Sequence, residues 1–423
     1  VNSKSGQDFK KYLTKSGWEQ LLKGHPWLLK KHLSPEFTPP QNHSLAHLGE
    51  HWFSVSPKSP IPLRRVGPSM RNWAFGEKDK NYPMKFLGPS ATGPEVSLFW
   101  TSIKNHFVET LKYKKSLNPN DTCFRWIFSE NDLFPGLIVD IFGHTAIAQI
   151  QTPFVEDFWD TIFLVLCESL RECHFNLSKF QWSILRNHQF RNDEGLELIE
   201  NENLSLEESV ETWMGLKWKM SPGRGQKTGA FLDQGDNHLR AVHWSKQLSL
   251  KTCWDLFCFE GGFGVHLLHE TQAQVTFVDS SEKALLACEA NLTLNNLDPN
   301  RAKTIKQDVF AFLRQDHETQ PDLIVLDPPS LAKKQSHRTS ALNSFRDLNL
   351  QAAKKIKSGG MIISCSCSQV ISKDDYMDML RSAAHSARRS FSVLEVNGPS
   401  ADHAPLVGFP EGDYLQAWYL RVV

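Results

Sequence analysis

From about residue 206 the sequence predicts an α/β fold on a doubly wound, mostly parallel sheet. Three observations predict it. Short apolar runs alternate with helical patterns, which is how repeated strand–helix units read in sequence. The first run ends in a glycine-rich turn, DLFCFEGGFG (255–264). The next ends in an acid, Asp279, about 18 residues beyond Gly261.

The elements follow in order. TCWDLF is a strand leading to helix GFGVHLLHE, and AQVTFVD leads to helix SEKALLACEANLTLNN. A short strand, KTIKQD, precedes helix VFAFLRQ, and DLIVLD runs into Pro328-Pro329. Helix TSALNSFRDLNLQAAKKIKS is expected to stop at Gly359-Gly360, since glycine readily takes the left-handed conformation that closes helices. Strand MIISCSCS and helix SKDDYMDMLRSAAHSA come next. FSVLEV and YLQAWYLRV have no helix between them, so one antiparallel strand is expected at the end of the sheet.

Two regions precede this one. Residues 1–95 are rich in Pro, His and Trp, with β-like runs HWFSV and IPLRRV, and predict a small β-rich domain. Residues 96–205 predict a central α+β domain. Its helices are SLFWTSIKNHFVETLKYKK and EDFWDTIFLVLCESLREC; its strands are CFRWIF, GLIVDIFG and HTAIAQIQ, with a turn at Pro135-Gly136. The acidic stretch NDEGLELIENENLSLEESVE reads as the boundary before the third domain, 206–423.

Charge is balanced overall, 47 basic against 47 acidic residues, but unevenly spread. Residues 1–118 carry 18 Lys and Arg against 8 Asp and Glu, a net +10 that leaves −10 for the rest. A basic front on a neutral chain suggests a phosphate-bearing partner; a solvated basic face is the plain alternative. The polar start VNSKSGQDFKKYL lacks the apolar core of a secretion signal, and TIFLVLC (161–167) is too short to cross a bilayer. Eight cysteines follow no disulfide or zinc spacing, so free thiols, a cytoplasmic location and no metal site are expected.

The chemistry should lie beyond the carboxyl ends of the strands, near the point where strand order reverses. Glycines 261 and 262 would let the backbone approach a ligand, and Asp279 could accept hydrogen bonds from a ribose. These two features alone fit a nicotinamide cofactor, or a plain tight turn, nearly as well. Asp308-Val309 at the third strand end could meet an adenine, and the fourth strand ends in Asp327-Pro328-Pro329. That last tripeptide aims an acid and backbone carbonyls at a flipped base, and with it the four strand ends favour S-adenosylmethionine.

In SCSCS (364–368) the two cysteines share one face of a strand. Cys367 lies nearer the ligand end and should flank the same pocket as Asp327. A thiolate adding to carbon 6 of a pyrimidine makes carbon 5 reactive toward a methyl donor. Cys367 is the expected nucleophile, Asp327 the acid at ring nitrogen 3, and Cys365 a core thiol. Packing of both cysteines in a buried strand is the alternative.

The chain resembles bacterial 23S rRNA cytosine-C5 methyltransferases of the large-subunit methyltransferase I type. The match runs through KTGAFLDQGDNHLRA (227–241), DLFCFEGGFG, VDSSEKALLACEANLTLNN (278–296), DLIVLDPPSLAKKQS (322–336), FRDLNLQA (345–352), SCSCS and ADHAPLVGFPEGDYLQAWYLRV (401–422). It continues in CFRWIFSENDLFPGLIVDIFG (123–143), RNDEGLEL (191–198) and LLKGHPWLL (21–29), the last resembling the start of a PUA-type RNA-binding module.

The resemblance implies a PUA-like domain, a central domain and a Rossmann-like class I methyltransferase domain. It implies S-adenosylmethionine as cofactor, unpaired 23S rRNA or an assembly intermediate as substrate, and a homodimer. Cofactor contacts would fall on Lys227, Thr228, Gly229, Phe231, Asp233, Gln234, Asp255, Phe257, Phe259, Gly261, Gly262, Asp279, Ser280, Asp308, Val309 and Asp327. Pro328, Pro329 and Lys333 would meet the base, and the family's catalytic cysteine falls on Cys367. Gly235 stands where the family has arginine, and Glu260 where it has threonine. A base N-methyltransferase on the same fold, or a non-catalytic RNA-binding assembly factor, is the competing expectation.

Overall fold

The structure is a computed structural model that describes residues 12–38, 40, 44–48, 51–56, 58–67, 85–88, 91–201, 208–221, 230–332 and 334–423. The chain forms two compact units. One comprises Val1–Glu208, Ser221–Ala230 and Pro405–Gly412; the other comprises Ser209–Met220, Phe231–Ala404 and Asp413–Val423.

The first unit opens with α1 (Lys15–Leu22), whose cap Thr14 accepts from the Gly17 amide. An antiparallel sheet follows: β1 (Trp27–Leu28), β2 (Ser44–Leu48), β3 (His51–Val55), β4 (Leu63–Val66) and β5 (Lys85–Leu87), in the order β1-β4-β3-β2-β5. Both expected runs are strands, β3 and β4. Leu28, Ala46, Phe53, Val55 and Leu63 pack together as a small core.

Next comes α2 (Pro94–Leu117), with proline in its first turn and Phe99, Ile103, Phe107 and Leu111 buried one turn apart. Beside it β6 (Cys123–Phe128), β7 (Leu137–Phe142) and β8 (Thr145–Ile150) run antiparallel. Gly136 takes φ +82° in the expected turn, where a side chain would strike Thr152. After α3 (Pro153–Asp157) and α4 (Trp159–Glu172), a strand absent from the sequence reading, β9 (Gln181–Leu185), pairs parallel with β8. The short helix α5 (Phe190–Asp193) follows. Segment 405–412 belongs to this unit: Phe409 packs 4.8 Å from the Trp27 ring, and the Leu406 amide donates to Asn131.

The second unit starts with a hairpin, β10 (Ser209–Trp213) and β11 (Leu216–Met220). Its two turn residues, Met214 and Gly215, are both left-handed, as a tight hairpin twist requires. Helix α6 (Gly235–Leu248) leads to the main sheet. The strands are β12 (Thr252–Leu256), β13 (Gln274–Asp279), β14 (Ala302–Lys306), β15 (Leu323–Leu326), β16 (Met361–Ser366), β17 (Phe391–Asn397) and β18 (Gln416–Val422), ordered β14-β13-β12-β15-β16-β18-β17. Helices α7 (Gly262–Glu270), α8 (Glu282–Leu294), α9 (Val309–Arg314), α10 (Arg338–Lys355) and α11 (Lys373–Ala387) join them. Order reverses between β12 and β15, which sets the ligand-binding crevice there.

Three expectations change. Only β18 is antiparallel, as expected, but it lies one place in from the edge, between β16 and β17. Helix α10 ends at Lys355 with Ile356 extended, and the left-handed Gly359 sits in the turn into β16 rather than at the helix end. Strand β16 ends at Ser366, so Cys367 stands just past the hydrogen-bonded ladder. Among the described residues no helix is long and apolar enough to cross a membrane.

Candidate active site

The first wall of the crevice is the turn between β12 and α7. Phe257, Phe259 and Gly261 all have positive φ, at +61°, +48° and +89°. Left-handed phenylalanines cost about 1–3 kcal/mol each and persist where surrounding contacts enforce them. The amide of Phe259 is held by Asp279 Oδ2 at 3.0 Å, and Asp279 Oδ1 accepts from the Ser281 amide at 2.8 Å. Asp279 is thus a half-buried carboxylate clamped across two turns. Phe231 packs edge-on against Phe259, 5.1 Å between rings.

The glycines of this turn serve packing inside the protein. A Cβ on Gly262 would overlap the His238 ring, and one on Gly264 would overlap the Phe277 ring. A Cβ on Gly261 would lie 2.7 Å from the Cys288 sulfur. Glycine at 261, 262 and 264 is thus required by close packing against Cys288, His238 and Phe277.

Asp255, next to last in β12, is fully buried and accepts from the Gly264 amide at 2.8 Å. Burial, reinforced by the Asp327 and Asp279 carboxylates, pushes it up to about 8, although the Gly264 bond favours its charged form. Three acids therefore crowd the ends of adjacent strands. A cationic ligand would relieve that crowding, and S-adenosylmethionine bears both an ammonium and a sulfonium, so these acids fit it.

Asp327 lies one residue past β15, and its Oδ1 accepts from Gln234 Nε2 at 2.9 Å. Pro328 is buried and Pro329 exposed. Register pairs Leu326 with Ser364, so the next residues along, Asp327 and Cys365, are neighbours. Cys365 is fully buried, and its thiol is pushed well up by burial first and by Asp327 second. Cys367, two residues farther out, is half-buried. The two thiols thus differ in burial: Cys365 is enclosed in the core, and Cys367 is partly exposed.

Other expected residues take local partners. Asp308 caps α9 by accepting from the Ala311 amide, with Val309 buried behind it, and Ser280 is exposed. Asp233 is buried, with Oδ2 accepting from Tyr414 Oη at 2.6 Å. Lys227, Thr228, Gly229 and Lys333 lie outside the described residues. The departure at Gly235 has a local cause: a Cβ there would overlap Met214 and come 2.9 Å from Trp213, so the hairpin tip fills the space. Glu260 is half-buried, and its carbonyl accepts from Asn291.

Two residues of the site escaped sequence reasoning, Asn237 and Tyr414. Asn237 was legible as the residue one turn beyond Gln234 on the same helix face. Tyr414 carries no local signal, because only the fold brings it to Asp233.

Three acids, Asp255, Asp279 and Asp327, at strand ends beside the switch point mark the nucleotide-cofactor class of doubly wound enzymes. The family model for S-adenosylmethionine-dependent methyltransferases matches residues 171–408, more than half the chain, and the chain belongs to that family. S-adenosylmethionine is accordingly its cofactor. Its similarity extends to proteins named ribosomal RNA large subunit methyltransferase I. The one from Tolumonas auensis is 28% identical, covering 97% of this chain and 99% of the relative. The one from Alteromonas mediterranea is 29% identical, covering 80% and 87%. A solved Streptococcus mutans structure, described as a candidate SAM-dependent methyltransferase, shares the fold with TM-score 0.70 over 97% of this chain and 98% of that one, at 16% identity.

Proposed function

We propose that this methyltransferase acts on 23S ribosomal RNA and forms 5-methylcytosine. The observation that carries the reading is the pair at the ends of β15 and β16: a half-buried thiol, Cys367, beyond the strand that neighbours Asp327. Full-length similarity to relatives named for large-subunit ribosomal RNA supports the substrate class.

The chemistry follows from the groups. Carbon 5 of cytosine is a poor nucleophile. The Cys367 thiolate adds to carbon 6, while Asp327 gives a proton to ring nitrogen 3 and so drains charge from the ring. Bound S-adenosylmethionine supplies an electrophilic methyl group to the enamine carbon 5. Loss of the carbon-5 proton to a base then expels the thiolate and restores the aromatic ring. On this reading Asp255 meets the cofactor's ammonium, Asp279 its ribose, and Asp308 with Val309 its adenine edge. Phe231, Phe257 and Phe259 supply apolar walls, and Pro328 and Pro329 shape the base pocket.

The target carbon is inaccessible in a stacked helix, so the substrate is unpaired RNA or an early assembly intermediate, with the base turned out. Residues 1–95, read as a PUA-like module, would add phosphate contacts that weaken with salt. Residues 96–205 would form the central domain, 206–423 the catalytic one, and the enzyme would act as a homodimer in the cytoplasm.

The test is product identity. Unmodified 23S rRNA is incubated with methyl-labelled cofactor and digested to nucleosides. Label in 5-methylcytosine is expected, and Cys367→Ala should lower its formation at least about 10³-fold while leaving cofactor binding intact. Label in a guanine or adenine nucleoside would reject the reading.

A further inference from the structure

A chain of buried amides runs from the core to Asp327. Asn237, fully buried on the first turn of α6, donates Nδ2 to Gln234 Oε1 at 2.7 Å and to the Gly398 carbonyl at 3.1 Å. Its Oδ1 accepts from Asn397 Nδ2 at 2.9 Å, and Tyr419 Oη donates to its backbone carbonyl at 3.0 Å. Gln234, also buried, then turns Nε2 to Asp327 Oδ1 at 2.9 Å.

The direction of this chain is fixed. A backbone carbonyl only accepts, so the Asn237 atom facing Gly398 must be its amide nitrogen. That nitrogen's second proton faces Gln234, so Oε1 must lie there and Nε2 must face Asp327. An ordinary amide pair could flip end for end; this one is pinned at Gly398. Oδ1 of Asp327 is therefore an acceptor, and because a carbonyl oxygen accepts better than a hydroxyl oxygen, this bond favours Oδ2 for any proton the carboxyl carries.

We propose that Asn237 is a positioning residue: acting through Gln234, it keeps the proton of Asp327 on the oxygen that serves ring nitrogen 3 of the pyrimidine. The inference rests on the cytosine-C5 reading, in which Asp327 is that acid. It also assigns Gln234 a task beyond the cofactor contact expected of it. No covalent step is added; one proton passes from Asp327 Oδ2 to the ring nitrogen and returns when the thiolate leaves.

Asn237→Asp keeps the shape and reverses the polarity. The new carboxyl keeps one proton for the Gly398 carbonyl and accepts where Asn237 donated to Gln234, so Gln234 turns over and presents Oε1 to Asp327. Two facing acceptors need a proton between them, and that proton occupies Oδ1. We expect methyl transfer to fall about 10²-fold. We also expect the alkaline limb of the pH–rate profile, where the acid is lost, to move to higher pH, with cofactor affinity on calorimetry within about twofold of wild type. Gln234→Glu, which shares a proton directly with Asp327, should move the limb the same way and decides the matter if Asn237→Asp does not fold. A limb that stays in place in a folded, cofactor-binding variant overturns the inference. Wild-type product other than 5-methylcytosine overturns the underlying reading instead, so the two failures are distinct.

Discussion

The two units bury charge in opposite ways. In the first, buried cations sit against carboxylates, with Arg186 and Arg191 sharing Glu156 and Arg64 lying between Glu130 and Glu194. Arg125 grips Asp140 through two bonds of 2.7 Å, Arg191 holds Glu156 at 2.7 Å, Arg64 holds Glu194 at 2.5 Å, and Lys114 meets Asp132. In the second, the ends of β12, β13 and β15 gather Asp255, Asp279 and Asp327, each held by N–H donors of backbone or amide. Matched pairs are complete without a ligand. Crowded acids are not: burial and its acidic neighbours hold Asp255 protonated near neutral pH, and a cofactor's positive charge would favour its ionised form. The difference separates charges that hold structure from charges that wait for a partner.

The largest effect should come from breaking a matched pair. Asp140→Ala leaves Arg125 charged and buried, at a cost of about 3–5 kcal/mol. Denaturant unfolding should show that loss, while calorimetry should find cofactor affinity unchanged in the surviving folded protein. A comparable loss of cofactor affinity would mean the pair belongs to the site.

Asp255 should behave in the contrary sense. Asp255→Asn removes a strained acid, so the ligand-free protein should melt higher near pH 8, yet cofactor affinity should fall about 10²-fold, or about 2.7 kcal/mol. A variant that melts lower would place Asp255 among the structural charges. Its pH dependence sharpens the point. The group is raised in the fold to about 8, above its ordinary 3.8. Its stability contribution is therefore whole below pH 4 and is lost as pH rises through 8. The melting temperature of wild type relative to Asp255→Asn should decline across that window. Cofactor binding near pH 7 should release up to one proton, read as a dependence of binding heat on buffer ionisation enthalpy. Zero release would break the comparison.

How much of this was legible in sequence follows the same division. Strand-end acids sit at fixed offsets from apolar runs, so Asp255, Asp279, Asp308 and Asp327 could be read off directly. The helix–strand alternation gave the parallel sheet for the same local reason. What escaped depended on distant partners. Asn237 gains its meaning from Gly398 and Tyr419, about 160 and 180 residues away. Strand β9 is announced only by its pairing with β8. The glycines of the β12–α7 turn were visible, but what they make room for, His238 and Phe277, was not.

The smallest effect should come from Cys365, the thiol embedded among the acids. Burial and Asp327 keep it neutral, so it adds no charge to the cluster and cannot act as a thiolate. Its sulfur fills space between β16 and the amide of Gln234. Cys365→Ala should cost about 1–2 kcal/mol of stability, from a small cavity, and leave the rate of methyl transfer within about twofold. Register is what makes this a sharp test. Cys365 and Cys367 are two residues apart, yet one lies level with Asp327 inside the ladder and the other beyond it. If methylation survives Cys367→Ala and is lost in Cys365→Ala, the strand end has been read one step too far out, and the reacting carbon must sit deeper, against the acids themselves.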